Sequence, residues 1–211
     1  MQCFKQLAIS FNPLIENALD ELIQSKSNKH PNSRQYLYTS LKTGYFLSNE
    51  AKHFFRSKNV FPNVMIIFGH VGDPSKHKED PHIHTDVFLE NNKWIKTPFA
   101  INFELTDSES AFKWWTFKKN CEVFPILQPN PYKSSMFDYL YGSGITYKNY
   151  CTEDVICIDQ CGLTATQPLL VRTDIPHNVY YNRGYNSRLS LSLRFPINQI
   201  SSFEEAARIF D

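Results

Sequence analysis

The sequence predicts a mainly β protein with flanking helices, and three observations carry that expectation. Residues 188–195 alternate Arg, Ser, Ser, Arg against Leu, Leu, Leu, Phe, and residues 99–105 alternate Phe, Ile, Phe, Leu against Ala, Asn, Glu. A two-residue period marks a strand with two chemically different faces. Short apolar runs bounded by turn residues recur from Val64 onward. Many short strands of this kind build a sandwich or barrel, and a double-stranded β-helix (jelly roll) braced by helices is the architecture expected.

The elements follow in order. Asn12 as N-cap and Pro13 at the first helical position predict a helix over residues 13–25, with Leu14, Ala18 and Leu22 beside Ile15, Leu19 and Ile23 as its apolar stripe. Residues 25–33 are polar and loop-like. A second helix is expected over 49–56, with Ala51, Phe54 and Phe55 facing inward. Strands are expected over 64–68, 82–89, 97–105, 110–119, 154–159, 167–172 and 188–195. Residues 69–80, rich in Gly, Pro, Lys and Asp, read as a loop. Ser202 and Glu205 form a capping box for a short final helix. The expected organisation is one domain: helical support over 1–60, a β core over 61–200, and the helix over 201–211.

Composition narrows the function classes. The chain has 211 residues, enough for one domain with a substantial core, and is rich in aromatics, with 17 Phe and 11 Tyr. A net charge of +1 argues against an extended nucleic-acid footprint. Five cysteines without regular spacing (Cys3, Cys121, Cys151, Cys157, Cys161) give no disulfide framework, and free thiols in a reducing compartment are expected. There is no secretory signal and no run of 18 apolar residues, so the expected location is cytoplasmic.

The chemistry is concentrated in two distant segments. Pro81-His82-Ile83-His84-Thr85-Asp86 places His84 and Asp86 two residues apart, on one face of a strand, with Thr85 on the other. The second segment brings His177 and, 11 residues later, Arg188 followed by Ser190. Two imidazoles and one carboxylate make the facial set that holds non-haem Fe(II) and leaves positions open. Arg188 offers a permanently charged fork to a carboxylate. Arg172, Arg183 and Arg194 are its rivals, with Arg194 the first substitute. His82 shares the parity of His84 and is read as a neighbour of the site, although His82 with His84 and His177 would suit a cupin-like set.

His84-x-Asp86, a distant His177 and Arg188-x-Ser190 resemble the Fe(II)- and 2-oxoglutarate-dependent dioxygenases, over roughly residues 64–196. The run from Pro176 to Asn182, with Arg188-Leu-Ser-Leu-Ser-Leu, is most similar to the aspartyl/asparaginyl β-hydroxylase-like and phage-type members. The resemblance implies a jelly roll, iron on His84, Asp86 and His177, and 2-oxoglutarate chelated through its keto-acid end while Arg188 and Ser190 grip the other carboxylate. It also implies a peptidyl or free amino-acid side chain, or another small molecule, as substrate. Asn102, on the polar face of its strand, is a candidate to bind cosubstrate. Residues 69–80 and 129–150 are candidate lid and substrate walls. Trp114 and Trp115 with Lys113, Lys118 and Lys119 could stack and neutralise a nucleobase, though one core Trp and solvated lysines are favoured. Two other readings stand beside the oxygenase: a cupin-like metalloenzyme that does not use 2-oxoglutarate, and a non-catalytic jelly-roll binding module.

Overall fold

In the computed structural model the described residues are 1–20, 35–71, 83–90, 93–106, 110–119, 124–128, 143–148, 152–164, 167–180 and 187–211. Two antiparallel sheets and a few short helices account for the regular structure among them.

The first sheet is assembled around the alternating segments. Its strands are β1 (Phe4–Gln6), β2 (Gln35–Lys42), β3 (Val64–Val71), β6 (Phe99–Glu104), β11 (Leu169–Arg172) and β13 (Ser187–Arg194), in the spatial order β1-β11-β6-β13-β3-β2. The second has the order β10-β7-β12-β4-β9-β8, with β5 paired to β4. Its strands are β4 (His84–Glu90), β5 (Lys93–Lys96), β7 (Ser110–Phe117), β8 (Phe124–Gln128), β9 (Ser143–Lys148), β10 (Val155–Leu163) and β12 (His177–Tyr180).

Each face of the first sheet has its own interior. Leu191 and Leu193 of β13, Ile101 and Phe103 of β6 and Met65 and Ile67 of β3 pack with residues of two helices, α2 (Asn49–Ser57) and α3 (Phe203–Ile209). A preceding turn of helix, α1, spans Thr43–Phe46. Phe55, Phe195 and Phe210 meet there with ring centroids 5.6–6.1 Å apart. The opposite face carries Ala100, Leu169 and Val171, which pack on Phe112, Trp114, Leu163 and Val179 of the second sheet. The two sheets therefore share a core, and β6 is buried along its whole length on both faces.

Both helix caps work through a serine hydroxyl. Ser48 accepts from Ala51 N, and Ser202 accepts from Glu205 N, each at 3.1 Å. Glu205 returns its bond to Ser201 rather than to Ser202, one residue earlier than a capping box requires.

Several expectations need correction. The helix expected from Pro13 begins only at Ala18, and residues 21–25 lie outside the described residues. Asn12 Oδ1 accepts from Leu14 N at 3.0 Å, Leu14 bridges Leu47, and Asn17 takes φ 62°, so the segment turns before it coils. Residues 1–60, expected as helical support, contribute β1 and β2 to the first sheet. β3 runs on through Gly69 to Val71 where a loop was expected, and β10 extends to Leu163. Residues 72–80, most of 129–150, His82 and Arg183 lie outside the described residues. Among the described residues no helix is long and apolar enough to cross a membrane.

Candidate functional site

Strand pairing brings the two distant sequence segments together. β12 lies between β4 and β7, and its first residue, His177, stands directly opposite His84 on one side and Trp114 on the other. Directly opposed residues of an antiparallel pair hold their side chains about 5 Å apart on the same face. Asp86 shares that face because it is two residues beyond His84. The Asp86 backbone is fixed on both sides: its N–H donates to Thr173 O at 2.9 Å, and its carbonyl accepts from Thr97 N at 3.0 Å.

The three side chains converge. His84 Nε2 lies 3.7 Å and His177 Nε2 3.9 Å from the same carboxylate oxygen, Asp86 Oδ1. One ligand atom from each of the three lies within 4.8 Å of the others. A divalent first-row ion takes such atoms at about 2.0–2.2 Å, so small side-chain rotations would draw them onto one centre. His84, Asp86 and His177 thus form a cluster that could hold a metal ion, the only such group among the described residues.

Each ligand is prepared by its neighbours. His177 Nδ1 lies 2.8 Å from Ile175 O. A carbonyl can only accept, so Nδ1 carries the proton and Nε2 presents its lone pair toward Asp86. Phe112 stacks on the same imidazole with centroids 4.9 Å apart. Burial pushes the His177 pKa down to about 3, with the neighbouring His84 adding to that and Asp86 opposing it, so the His177 ring is neutral at physiological pH and able to ligate. For Asp86, burial favours the neutral acid, but Arg194, His177 and His84 outweigh it and hold the carboxyl below its ordinary range. Arg194 Nη2 bonds Asp86 Oδ2 at 2.6 Å, which leaves Oδ1 turned to the imidazoles.

A buried polar row leads away from the cluster. β13 presents Arg188, Ser190, Ser192 and Arg194 on its face toward the second sheet, with Asn102 opposite Ser192 and Glu104 opposite Ser190 on β6. Asn102, Glu104, Arg188, Ser190 and Ser192 are all buried. Arg188 Nη2 bonds Glu104 Oε1 at 2.6 Å, and Ser190 Oγ donates to the same oxygen. Burial pushes the Glu104 carboxyl above its ordinary range, while Arg188 and Ser190 pull it back. Asn102 Oδ1, Ser192 Oγ, Glu104 Oε2 and Nε and Nη1 of Arg194 find no hydrogen-bond partner among the described residues. Native interiors rarely tolerate such a concentration of unmatched polar atoms unless water or a ligand completes them.

The expected residues therefore divide. His84, Asp86 and His177 meet. Asn102 lies on the interior polar face. Arg188 and Ser190 lie on that face too, but they hold Glu104 rather than an open position. Arg194, weighed only as a substitute, is the guanidinium that touches the candidate metal carboxylate. Glu104 was not singled out in the sequence; its signal was a carboxylate at the parity of Asn102 in a strand whose other face is apolar. Arg172 pairs with Asp174 and Glu204 and has no part in the cluster. The Trp platform is not assembled: Trp114 is fully buried with Nε1 on Arg172 O, and Trp115 Nε1 bonds Asn178.

Fold and site together define a two-sheet β protein with a candidate metal centre of two histidines and one aspartate at the interface of the sheets. No protein-family model matches the chain, and no curated protein matches it.

Proposed function

We propose that this chain is an Fe(II)- and 2-oxoglutarate-dependent oxygenase built on a jelly roll, a hydroxylase of a peptidyl or free amino-acid side chain. The observation that carries the reading is the convergence of His84, Asp86 and His177 from two strands onto one point. The donor set suits Fe(II): two imidazole nitrogens and one carboxylate oxygen form a facial set that leaves the other positions of such an ion open. When bound, Fe(II) with 2-oxoglutarate and oxygen would supply the oxidising power that no amino-acid side chain possesses.

The chain's own residues would do the rest. Arg194 keeps Asp86 ionised and its Oδ1 turned to the two imidazoles. The Ile175 carbonyl fixes the tautomer of His177. Phe112 and Trp114 keep water from the inner side, whereas the His84 side chain is 35% exposed and marks the side from which substrate would approach. The far carboxylate of 2-oxoglutarate would be held by Arg188 and Ser190, with Asn102 and Ser192 completing the polar path between the two ends.

Anaerobic titration with Fe(II) and then 2-oxoglutarate tests the proposal through the weak visible charge-transfer band of the chelate. The band is expected in the wild type, absent in Asp86→Ala and weakened in Arg188→Ala. A wild-type protein that develops no band overturns the reading. The contact of Glu104 with Arg188 favours one alternative, a metalloenzyme that takes no diacid. That alternative predicts turnover unaffected by Arg188→Met.

A further inference from the structure

We propose that Glu104 is an internal stand-in for the far carboxylate of the acidic cosubstrate, seated on Arg188 and Ser190 until a diacid displaces it, so that it sets the affinity of the chain for diacids. The proposal rests on the oxygenase reading above and adds to it a residue that selects the ligand. Glu104 makes with Arg188 and Ser190 the contacts a bound carboxylate would make: one oxygen receives a guanidinium N–H at 2.6 Å and a hydroxyl. Those two donors are the pair suited to the distal end of a diacid.

The seat is built, and it is shared imperfectly. Arg188, Ser190 and Glu104 are 1%, 0% and 6% exposed, so no bulk water competes for these contacts. Glu104 engages through Oε1 alone, while Oε2 finds no partner among the described residues. An arginine fork grips a carboxylate best through both oxygens, so a ligand free to orient itself can make a better pair than a side chain tethered to β6. The next pair along the strands, Asn102 and Ser192, buries Oδ1 and Oγ without partners, between Glu104 and the Asp86 end of the row. A purely structural ion pair would leave that path unexplained. Burying an ion pair also gains little over well-packed apolar side chains, so stability alone does not account for charge here.

The experiment compares wild type with Glu104→Gln, which keeps the shape and removes the competing charge. The Fe(II)-loaded proteins are titrated anaerobically with 2-oxoglutarate and, separately, with pyruvate, a 2-oxo acid with no distal carboxylate. Glu104→Gln is expected to bind 2-oxoglutarate about tenfold more tightly or better, with pyruvate unchanged. Metal-free proteins are melted with glutarate, which has the two carboxylates but no keto group. Glutarate should raise the Tm of the variant more than that of the wild type. Equal or weaker binding of 2-oxoglutarate by the variant overturns the proposal, as does an equal glutarate response. If Glu104→Gln fails to fold, Glu104→Asp draws the carboxylate back by one methylene and should shift both readouts the same way, by less; no shift overturns the proposal equally. A wild type that gives no band with 2-oxoglutarate is failure of the oxygenase reading. A wild-type band with an unmoved variant is failure of the stand-in alone.

Discussion

One strand, β13, separates two interiors of opposite chemistry. Leu189, Leu191 and Leu193 alternate with Arg188, Ser190 and Ser192, and all six are at most 2% exposed. Leu191 and Leu193 enter an aromatic core closed by Phe55, Phe195 and Phe210. The serines and arginines face the second sheet, where a candidate metal cluster and several unmatched polar atoms lie. Apolar burial stabilises by about 25 cal/mol per Å², whereas buried charge costs free energy unless it is fully matched. The first face thus holds the fold together. The second is retained against a stability cost, which is the physical reason to look for a ligand there.

Substitutions can break this contrast, and the largest effect is expected on the apolar side. Phe55→Ala removes a fully buried ring from the junction of α2 with β13 and should cost about 3–5 kcal/mol in urea denaturation. On the polar side, Arg194→Met leaves Asp86 in the interior without its cationic partner. It should cost up to about 3–5 kcal/mol in the metal-free protein, with the loss shrinking at acid pH where Asp86 takes up a proton. If Arg194→Met proves neutral at pH 7, the polar face is wetter than its burial indicates.

Acidification sharpens the comparison. His177 titrates at about 3 in the folded metal-free protein, below the ordinary histidine value of 6.5 that the unfolded chain keeps. Between those values the unfolded state binds the extra proton, so stability is fully present above pH 6.5 and falls as pH is lowered toward 3, by about 1.4 kcal/mol per pH unit. Asp86, whose carboxyl is also held low, adds a further loss when pH falls through its folded pKa. His177→Phe, measured by the same denaturation at pH 7 and pH 5, should flatten the slope. The smallest effect belongs to Ser192→Ala: its hydroxyl is buried without a partner among the described residues, so removal should change stability by less than about 1 kcal/mol, in either direction.

Much of this was legible in the sequence where local pattern suffices. The alternation of β13, the inward aromatics of α2 and the His84-x-Asp86 spacing each follow from side-chain periodicity, and each reappears in the structure. The late histidine could be named but not placed, because the four-residue strand β12 is too short to show a period. β1, with three residues, was hidden for the same reason. The helix expected from Pro13 starts later, at Ala18, because a bridge from Leu14 to Leu47 outranks local propensity over its first turn. The pairing of Glu104 with Arg188 joins residues 84 apart. Periodicity shows that both lie on polar faces, but only the topology that sets β6 beside β13 shows that the faces coincide.

His84, Asp86 and His177 are proposed to hold one metal ion, and anaerobic equilibrium dialysis against Fe(II) is the decisive measurement. One ion per chain is expected in the wild type, with binding lost in Asp86→Ala and in His177→Ala. A wild type that retains no iron, or an Asp86→Ala variant that retains it undiminished, would show that these three side chains do not form the metal site.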